Sequence, residues 1–310
     1  MSKTYPRKQG ATRLLFAFMA LAAMDPVLAK TRLLVAYAGS MGVVMDQDLG
    51  PAFCRLHHCT YEGQGQGAYG LAHRILAHTL TTDVFISVTA GPYRILKNAG
   101  LTSKAYPVAS TQMVIAYSPK SPYASAFQRA ARGLIPWYQI LARPDMGFGR
   151  TDPATDPQGQ NIVFTLQLAA RYYHKPGLVR AVLGRIRNPR QIFSEPSLLA
   201  RLQAGELAAS SSYLSTVRSW HLPYITLPPE INLGNPRFAR SWYRKAHISL
   251  AIRGREHTFK PEALVFYATV PHDAAHPRLG HAFVHFLQSA RAQRMFHAMG
   301  YDRPHGGPLS

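Results

Sequence analysis

Residues 60–88 read TYEGQGQGAYGLAHRILAHTLTTDVFISV. Thr60 to Glu62 is a brief β-forming run, and Gly63-Gln64-Gly65-Gln66-Gly67 is a glycine-rich turn. Ala68 to Leu80 then sets Leu71, Ile75 and Leu76 on one stripe at helical spacing. Asp83 to Val88 returns to an apolar run of strand length. Strand, helix, strand in that order predicts parallel strands with a helix packed across them, and so α/β layering.

The alternation continues in both directions. Upstream, residues 32–37 (RLLVAY) form a strand ending at Ala38-Gly39-Ser40, and a helix is expected through about Leu56. Downstream, residues 111–117 (TQMVIAY) read as a strand, and Ser118-Pro119 and Ser121-Pro122 after it suggest a domain crossing. Helices are expected at Ser125 to Arg132 and Pro136 to Leu141. A loop rich in turn residues, Gly149 to Gly159, then leads into a long helix over Gln160 to His174. Asp156 is placed to cap that helix and Pro157 to occupy its first position. The proline-rich run Thr226 to Pro236 suggests a return crossing. A strand near Leu264 to Thr269 and a helix from His281 to Met299 complete the chain.

Both glycine turns, Ala38-Gly39-Ser40 and Gly63 to Ala68, stand where a strand hands over to a helix. In open α/β sheets this is the ligand crevice, because free N–H groups and the helix dipole favour an anion there. Taken singly, such turns are ordinary loop chemistry. The second is not read as a dinucleotide-binding fingerprint.

The 310 residues are 47% apolar and 16% charged, which is globular rather than disordered composition. The N-terminus carries Lys3, Arg7, Lys8 and Arg13, then the apolar run LLFAFMALAAM (Leu14 to Met24), then Val27-Leu28-Ala29. That pattern predicts a secretory leader over residues 1–29, cleaved after Ala29, and the apolar run is too short for a membrane span. The remaining length is near that at which one hydrophobic core gives way to two. Formal charge is +20, and +17 without the four basic residues and one acid of the leader. So positive a chain draws anions. The basic residues are scattered, with no run of five and no aromatic RNA-binding signature, so nucleic acid is not the expected partner.

Cys54 and Cys59 are the only cysteines. In an oxidising compartment they suit a short disulfide loop, with two free thiols or a metal site shared with His57 and His58 as alternatives. His281 and His285 stand at helical i, i+4 spacing with His276 nearby, and they read as packed or exposed histidines. Tyr172-Tyr173, at a helix end, reads as packing. No nucleophile elbow, P-loop or HExxH occurs, so no catalytic residue is assigned.

The stretch Ala142 to Tyr173, ARPDMGFGRTDPATDPQGQNIVFTLQLAARYY, resembles the matching segment of periplasmic molybdate/tungstate-binding proteins. AYAGSM (36–41), WYQILARPD (137–145), LLARLQAGELAASSSYLS (198–215) and LPPEINLGNP (227–236) occur in the order that family shows. The resemblance spans about residues 32–300. It implies a type II periplasmic binding protein with two lobes, each a mixed, mainly parallel sheet flanked by helices. Lobe one would comprise 30–112 and 232–310, and lobe two 113–231, with hinge crossings near 111–118 and 226–236. The implied function is capture of molybdate or tungstate by a monomeric periplasmic receptor that feeds an ABC permease, with no resident cofactor and no catalysis. Carried over residue by residue, the pocket falls on Ser40, Asp156, Glu206 and Tyr213. Asp156 and Glu206 would bond the molybdenum or tungsten centre directly. Ala68 stands where the family has a second serine, which removes a hydroxyl and leaves sulfate, phosphate or ferric ion as alternative ligands. An exported enzyme using Asp156 and Glu206 as an acid/base pair is the remaining alternative.

Overall fold

The computed structural model describes residues 1–4, 30–252 and 254–310. Contacts divide the chain into Met1–Lys30 and Thr31–Ser310. The leader expected at 1–29 lies almost wholly outside the described residues, and all that follows concerns Thr31–Ser310.

Two sheets organise this unit. The first holds β1 (Arg32–Ala38), β2 (Thr60–Gln66), β3 (Val84–Val88), β4 (Ala105–Ser110) and β11 (Val265–Thr269), in the order β2-β1-β3-β11-β4. β1 pairs in parallel with β2 and β3, whereas β11 is antiparallel to β3 and β4. Every residue of β3 (VFISV) is buried, as expected of a strand covered on both faces. Helices α1 (Gly50–His57), α2 (Ala68–Leu76), α3 (Gly91–Asn98), α10 (Pro277–Gln288) and α11 (Ala290–Ala298) belong with this sheet.

The second sheet, in the order β6-β7-β5-β8, holds β5 (Met113–Tyr117), β6 (Phe148–Gly149), β7 (Ala209–Tyr213) and β8 (Tyr224–Thr226). β5 is antiparallel to β7 and β8, and only β6–β7 is parallel. Both sheets are therefore mixed, and the second is the more antiparallel of the two. Its helices are α4 (Ala124–Ala131), α5 (Trp137–Leu141), α6 (Pro157–Tyr172), α7 (Leu178–Leu183), α8 (Glu195–Ala204) and α9 (Leu214–Ser219). A hairpin of β9 (Ile248–Ile252) and β10 (Arg255–Phe259) stands apart from both sheets. It is tied to α6 through Gln167, whose side chain donates to the His247 carbonyl at 2.8 Å and accepts from the His247 N–H at 3.0 Å.

Between the sheets, chain segments run side by side. The N–H of Met113 donates to the Asn232 carbonyl at 2.7 Å, that of Leu264 to Leu233 at 2.9 Å, and that of Thr111 to Leu264 at 3.0 Å. This backbone ladder joins the two lobes.

Three elements differ from the sequence reading. The glycine-rich stretch 63–66 is strand rather than turn. The alternating glycines leave one face bare, and the Tyr37 ring fills it: a β-carbon at Gly63 or Gly65 would sit 2.9 or 2.7 Å from that ring. Tyr37 in turn donates its hydroxyl to Asp46 at 2.6 Å. The helix expected after Ser40 begins as a 3-10 turn, Gly39–Met41, and a π-helical stretch, Val44–Leu49, before α1. The C-terminal helix is two helices, broken at Ser289. That residue is extended (φ −68°, ψ 154°), and its hydroxyl accepts the Ala292 N–H at 3.3 Å as the cap of α11. Cys54 and Cys59 are bonded to each other across the end of α1, their Cα atoms 4.6 Å apart. No helix among the described residues is long and apolar enough to cross a membrane.

Candidate functional site

Two acidic residues from the second lobe lie buried at helix N-termini. Asp156 caps α6, its carboxylate accepting the Gln158 N–H at 2.9 Å, with Pro157 at the first helical position. Glu195 opens α8, followed in the same way by Pro196. They are 9% and 8% exposed. Gln158 links them, its side-chain amide reaching Glu195 Oε1 at 3.4 Å while its carbonyl oxygen accepts from Ser211 of β7 at 3.1 Å.

Burial pushes the Asp156 carboxyl up to about 6; the Gln158 N–H opposes that rise and the Asp152 charge adds to it. Burial, and then the Asp156 charge, raises Glu195 well above the usual carboxylate range. Tyr213, at the end of β7, is also held protonated by burial and by both carboxylates. Its phenol oxygen accepts from Asn161 of α6 at 3.0 Å, which leaves the phenol proton free to donate. Among the described residues, no lysine or arginine pairs with Asp156, Glu195 or Tyr213. In a chain of net charge +20, this buried acidic pair is thus without a cation among the described residues.

The first lobe meets this cluster with its two strand–helix turns. Ser40 lies buried in the 3-10 turn after β1, and its carbonyl accepts from the buried Tyr301 hydroxyl at 3.0 Å. A β-carbon on neighbouring Gly39 would be 2.8 Å from Glu195 Oε2. Ala68 is buried at the first position of α2. A β-carbon on Gly67 before it would be 2.8 Å from the Thr155 carbonyl and 3.3 Å from Asp156 Oδ2. The Gly70 N–H donates to that same Thr155 carbonyl at 3.1 Å. Glycine at 39 and 67 is what allows the lobes to close on the acids.

Ser40, Ala68, Asp156 and Tyr213 are therefore brought together. Glu206 is not among them. It lies beyond the end of α8 with its side chain 56% exposed, paired with Arg201 at 2.6 Å. The buried acid beside Asp156 is Glu195, and Glu206 is not placed next to it. Gly205, in the left-handed conformation (φ 88°), ends α8 and turns Glu206 outward. The sequence reading missed Glu195. Its signal was an acid followed by proline at a helix start, the same arrangement as Asp156-Pro157.

A buried arginine braces the two acids. Arg150, 0% exposed, donates to the Ile186 carbonyl at 2.6 Å and to Gln191 Oε1 at 3.3 Å. Its N–H donates to the Gln191 carbonyl at 2.8 Å, and its carbonyl accepts from Phe193 at 3.0 Å. The loop carrying Asp156 and the strand-like lead into Glu195 are thereby held in register. Burial lowers the Arg150 guanidinium to about 10, still charged at neutral pH.

Elsewhere, His281 and His285 are exposed on α10. Among the described residues no group of three or more His, Cys, Asp or Glu side chains is arranged to hold a metal ion. Tyr173 accepts from Trp137 Nε1 at 3.3 Å and packs against Tyr138 and Tyr172.

Residues 33–302 match the family model for bacterial extracellular solute-binding proteins. The chain is 33% identical over 208 residues to the molybdate/tungstate-binding protein WtpA of Pyrococcus abyssi, an alignment covering 61% of this chain and 58% of that protein. It is 31% identical over 208 residues to WtpA of Thermococcus kodakarensis, covering 61% and 57%. The matches thus span less than two thirds of either relative's length. Among solved structures, the periplasmic molybdate-binding protein of Azotobacter vinelandii superposes with a TM-score of 0.60 at 13% identity, over 89% of this chain and 100% of that one. The sulfate-binding protein SubI of Mycobacterium tuberculosis gives 0.58 at 14% identity, over 89% and 87%. These two likenesses establish the fold, a type II periplasmic binding protein. The chain belongs to the bacterial extracellular solute-binding protein family.

Proposed function

We propose that this protein captures molybdate or tungstate by closing its lobes on the anion. The observation that carries the reading is the buried Asp156–Glu195 pair, which no cation among the described residues neutralises and which faces two strand–helix turns suited to anions. Two unit charges 4 Å apart repel by about 4 kcal/mol at an effective dielectric of about 20. With its carboxylates ionised, a pocket built this way rejects an anion that offers only its oxygens, such as sulfate. A hexavalent molybdenum or tungsten centre instead accepts further oxygen ligands, so each carboxylate can bond to the metal. Free N–H groups at the start of α2, the Ser40 hydroxyl and the Tyr213 phenol would then take the anion's oxygens. The WtpA relatives support this choice of ligand.

On this reading the protein is exported, through a leader cleaved after Ala29. It acts as a monomer without turnover or resident cofactor, and passes its ligand to an ABC permease. The ladder at Thr111, Met113, Asn232 and Leu264 is the hinge. The test is calorimetry and thermal unfolding with tungstate, molybdate, sulfate, phosphate and ferric ion. Tungstate and molybdate should bind and stabilise, by about 2.7 kcal/mol at 100 times the dissociation constant. Sulfate binding as tightly as tungstate, or no response to either metal oxyanion, would overturn the reading.

A further inference from the structure

A cavity of about 760 Å³ lies beside the acidic cluster. Helices α2 and α3 supply one wall, α6 another, and the β9–β10 hairpin a third. It adjoins the cluster through Asn161, which lines the cavity and also donates to Tyr213. A four-oxygen anion displaces only a few waters, each of about 30 Å³. This volume instead falls in the range of about 300–1,000 Å³ that holds organic ligands.

The lining points to a chemical class. Tyr69, Phe164 and Phe259 present aromatic surface, with Tyr69 and Phe259 edge to face at 5.6 Å between centroids. Three cations and one acid stand around them. Glu262 is committed, paired with Arg94 and accepting the Ala90 N–H at 3.1 Å. Arg255 and Lys260 are exposed and have no ion-pair partner among the described residues. Flat apolar walls beneath two uncommitted cations suit a ring bearing a carboxylate.

We propose that this cavity is a second ligand site, which takes a small aromatic carboxylate with its ring against Tyr69, Phe164 and Phe259 and its acid group at Arg255 and Lys260. The site is separate from the carboxylate cluster and stands whether or not that cluster binds a metal oxyanion.

Calorimetric titration of the full chain with phthalate tests it. Phthalate should bind once per chain, and Arg255→Glu combined with Lys260→Glu should weaken it about tenfold or more, through loss of charge-assisted hydrogen bonds. Both positions are exposed, and an unchanged melting temperature in the double variant confirms that the fold is kept. Glu195→Gln should bind phthalate as the parent does, and saturating tungstate should not displace it. Three results would overturn the proposal. One is no phthalate binding at millimolar concentration. The second is binding that the double variant leaves unchanged, or that Glu195→Gln abolishes. The third is a double variant that merely slows tungstate association without phthalate ever binding, which makes the cavity an inlet for the oxyanion.

Discussion

Gly39 in the first lobe and Glu195 in the second approach so closely that a β-carbon at position 39 would lie 2.8 Å from the carboxylate oxygen. Glu195 is buried, so its carboxylate has little room to retreat. Gly39→Ala should therefore hold the lobes apart. We expect tungstate affinity to fall by about 1–3 kcal/mol, the usual scale of overpacking. Calorimetry reads the affinity, and small-angle scattering should show a larger radius for the variant in tungstate than for the parent.

Glu195 and Glu206 can be told apart by matched substitutions. Glu195→Gln should abolish tungstate binding yet raise the stability of ligand-free protein at pH 7.5. The gain arises because burial and the Asp156 charge disfavour the ionised Glu195 carboxylate, a penalty that the neutral amide does not carry. Glu206→Gln breaks an exposed pair with Arg201 and should change stability by less than about 1 kcal/mol, leaving binding intact. The opposite pattern in urea melts and titrations would return the role to Glu206.

The raised carboxyls also set a pH dependence. Asp156 titrates near 6 when folded, against 3.8 ordinarily, so between those values the folded state binds more protons than the unfolded. The associated stability is fully present below about pH 3.8 and is lost as pH rises through about 6. Glu195, raised further, extends the loss upward. Ligand-free protein should thus lose on the order of 2–3 kcal/mol from this source between pH 4 and 7. Asp156→Asn should flatten that part of the profile in urea unfolding measured across the range.

Arg150 should act on the site without touching a ligand. Arg150→Met removes the donors serving the half-buried Ile186 carbonyl and Gln191 side chain. Unfolding free energy should drop by about 2–4 kcal/mol. Tungstate affinity should fall as well, because the loops bearing Asp156 and Glu195 lose their shared brace. A variant that is destabilised but binds normally would confine Arg150 to stability alone.

The parts legible from sequence were those encoded locally. Asp156-Pro157 announces a capped helix, and α6 begins there. The apolar runs at 84–88 and 113–117 are buried strands, as their short length and β-branched content suggest. What escaped depended on packing across the chain. The glycines at 63 and 65 read as a turn until the Tyr37 ring is seen against them. The carboxylate of the site was assigned to Glu206 from a matched segment, whereas Glu195, eleven residues earlier, is the one carried into the cleft at the start of α8. The β9–β10 hairpin escaped because β10 (REHTF) offers one apolar residue, Phe259, although β9 (ISLAI) does alternate between buried and exposed positions.

Among the described residues β2 has a single neighbour, β1, and its other side is a sheet edge. Such an edge is a template for joining molecules together, unless its side chains give an incoming strand nothing to hold. None of the seven residues of β2 is buried, and two of them are glycines whose ordering carries an entropic cost. The same glycines that seat Tyr37 on one face therefore make the rim a poor seed for fibrils. Replacing them with β-branched residues would unseat that tyrosine and make the edge more prone to self-association at the same time.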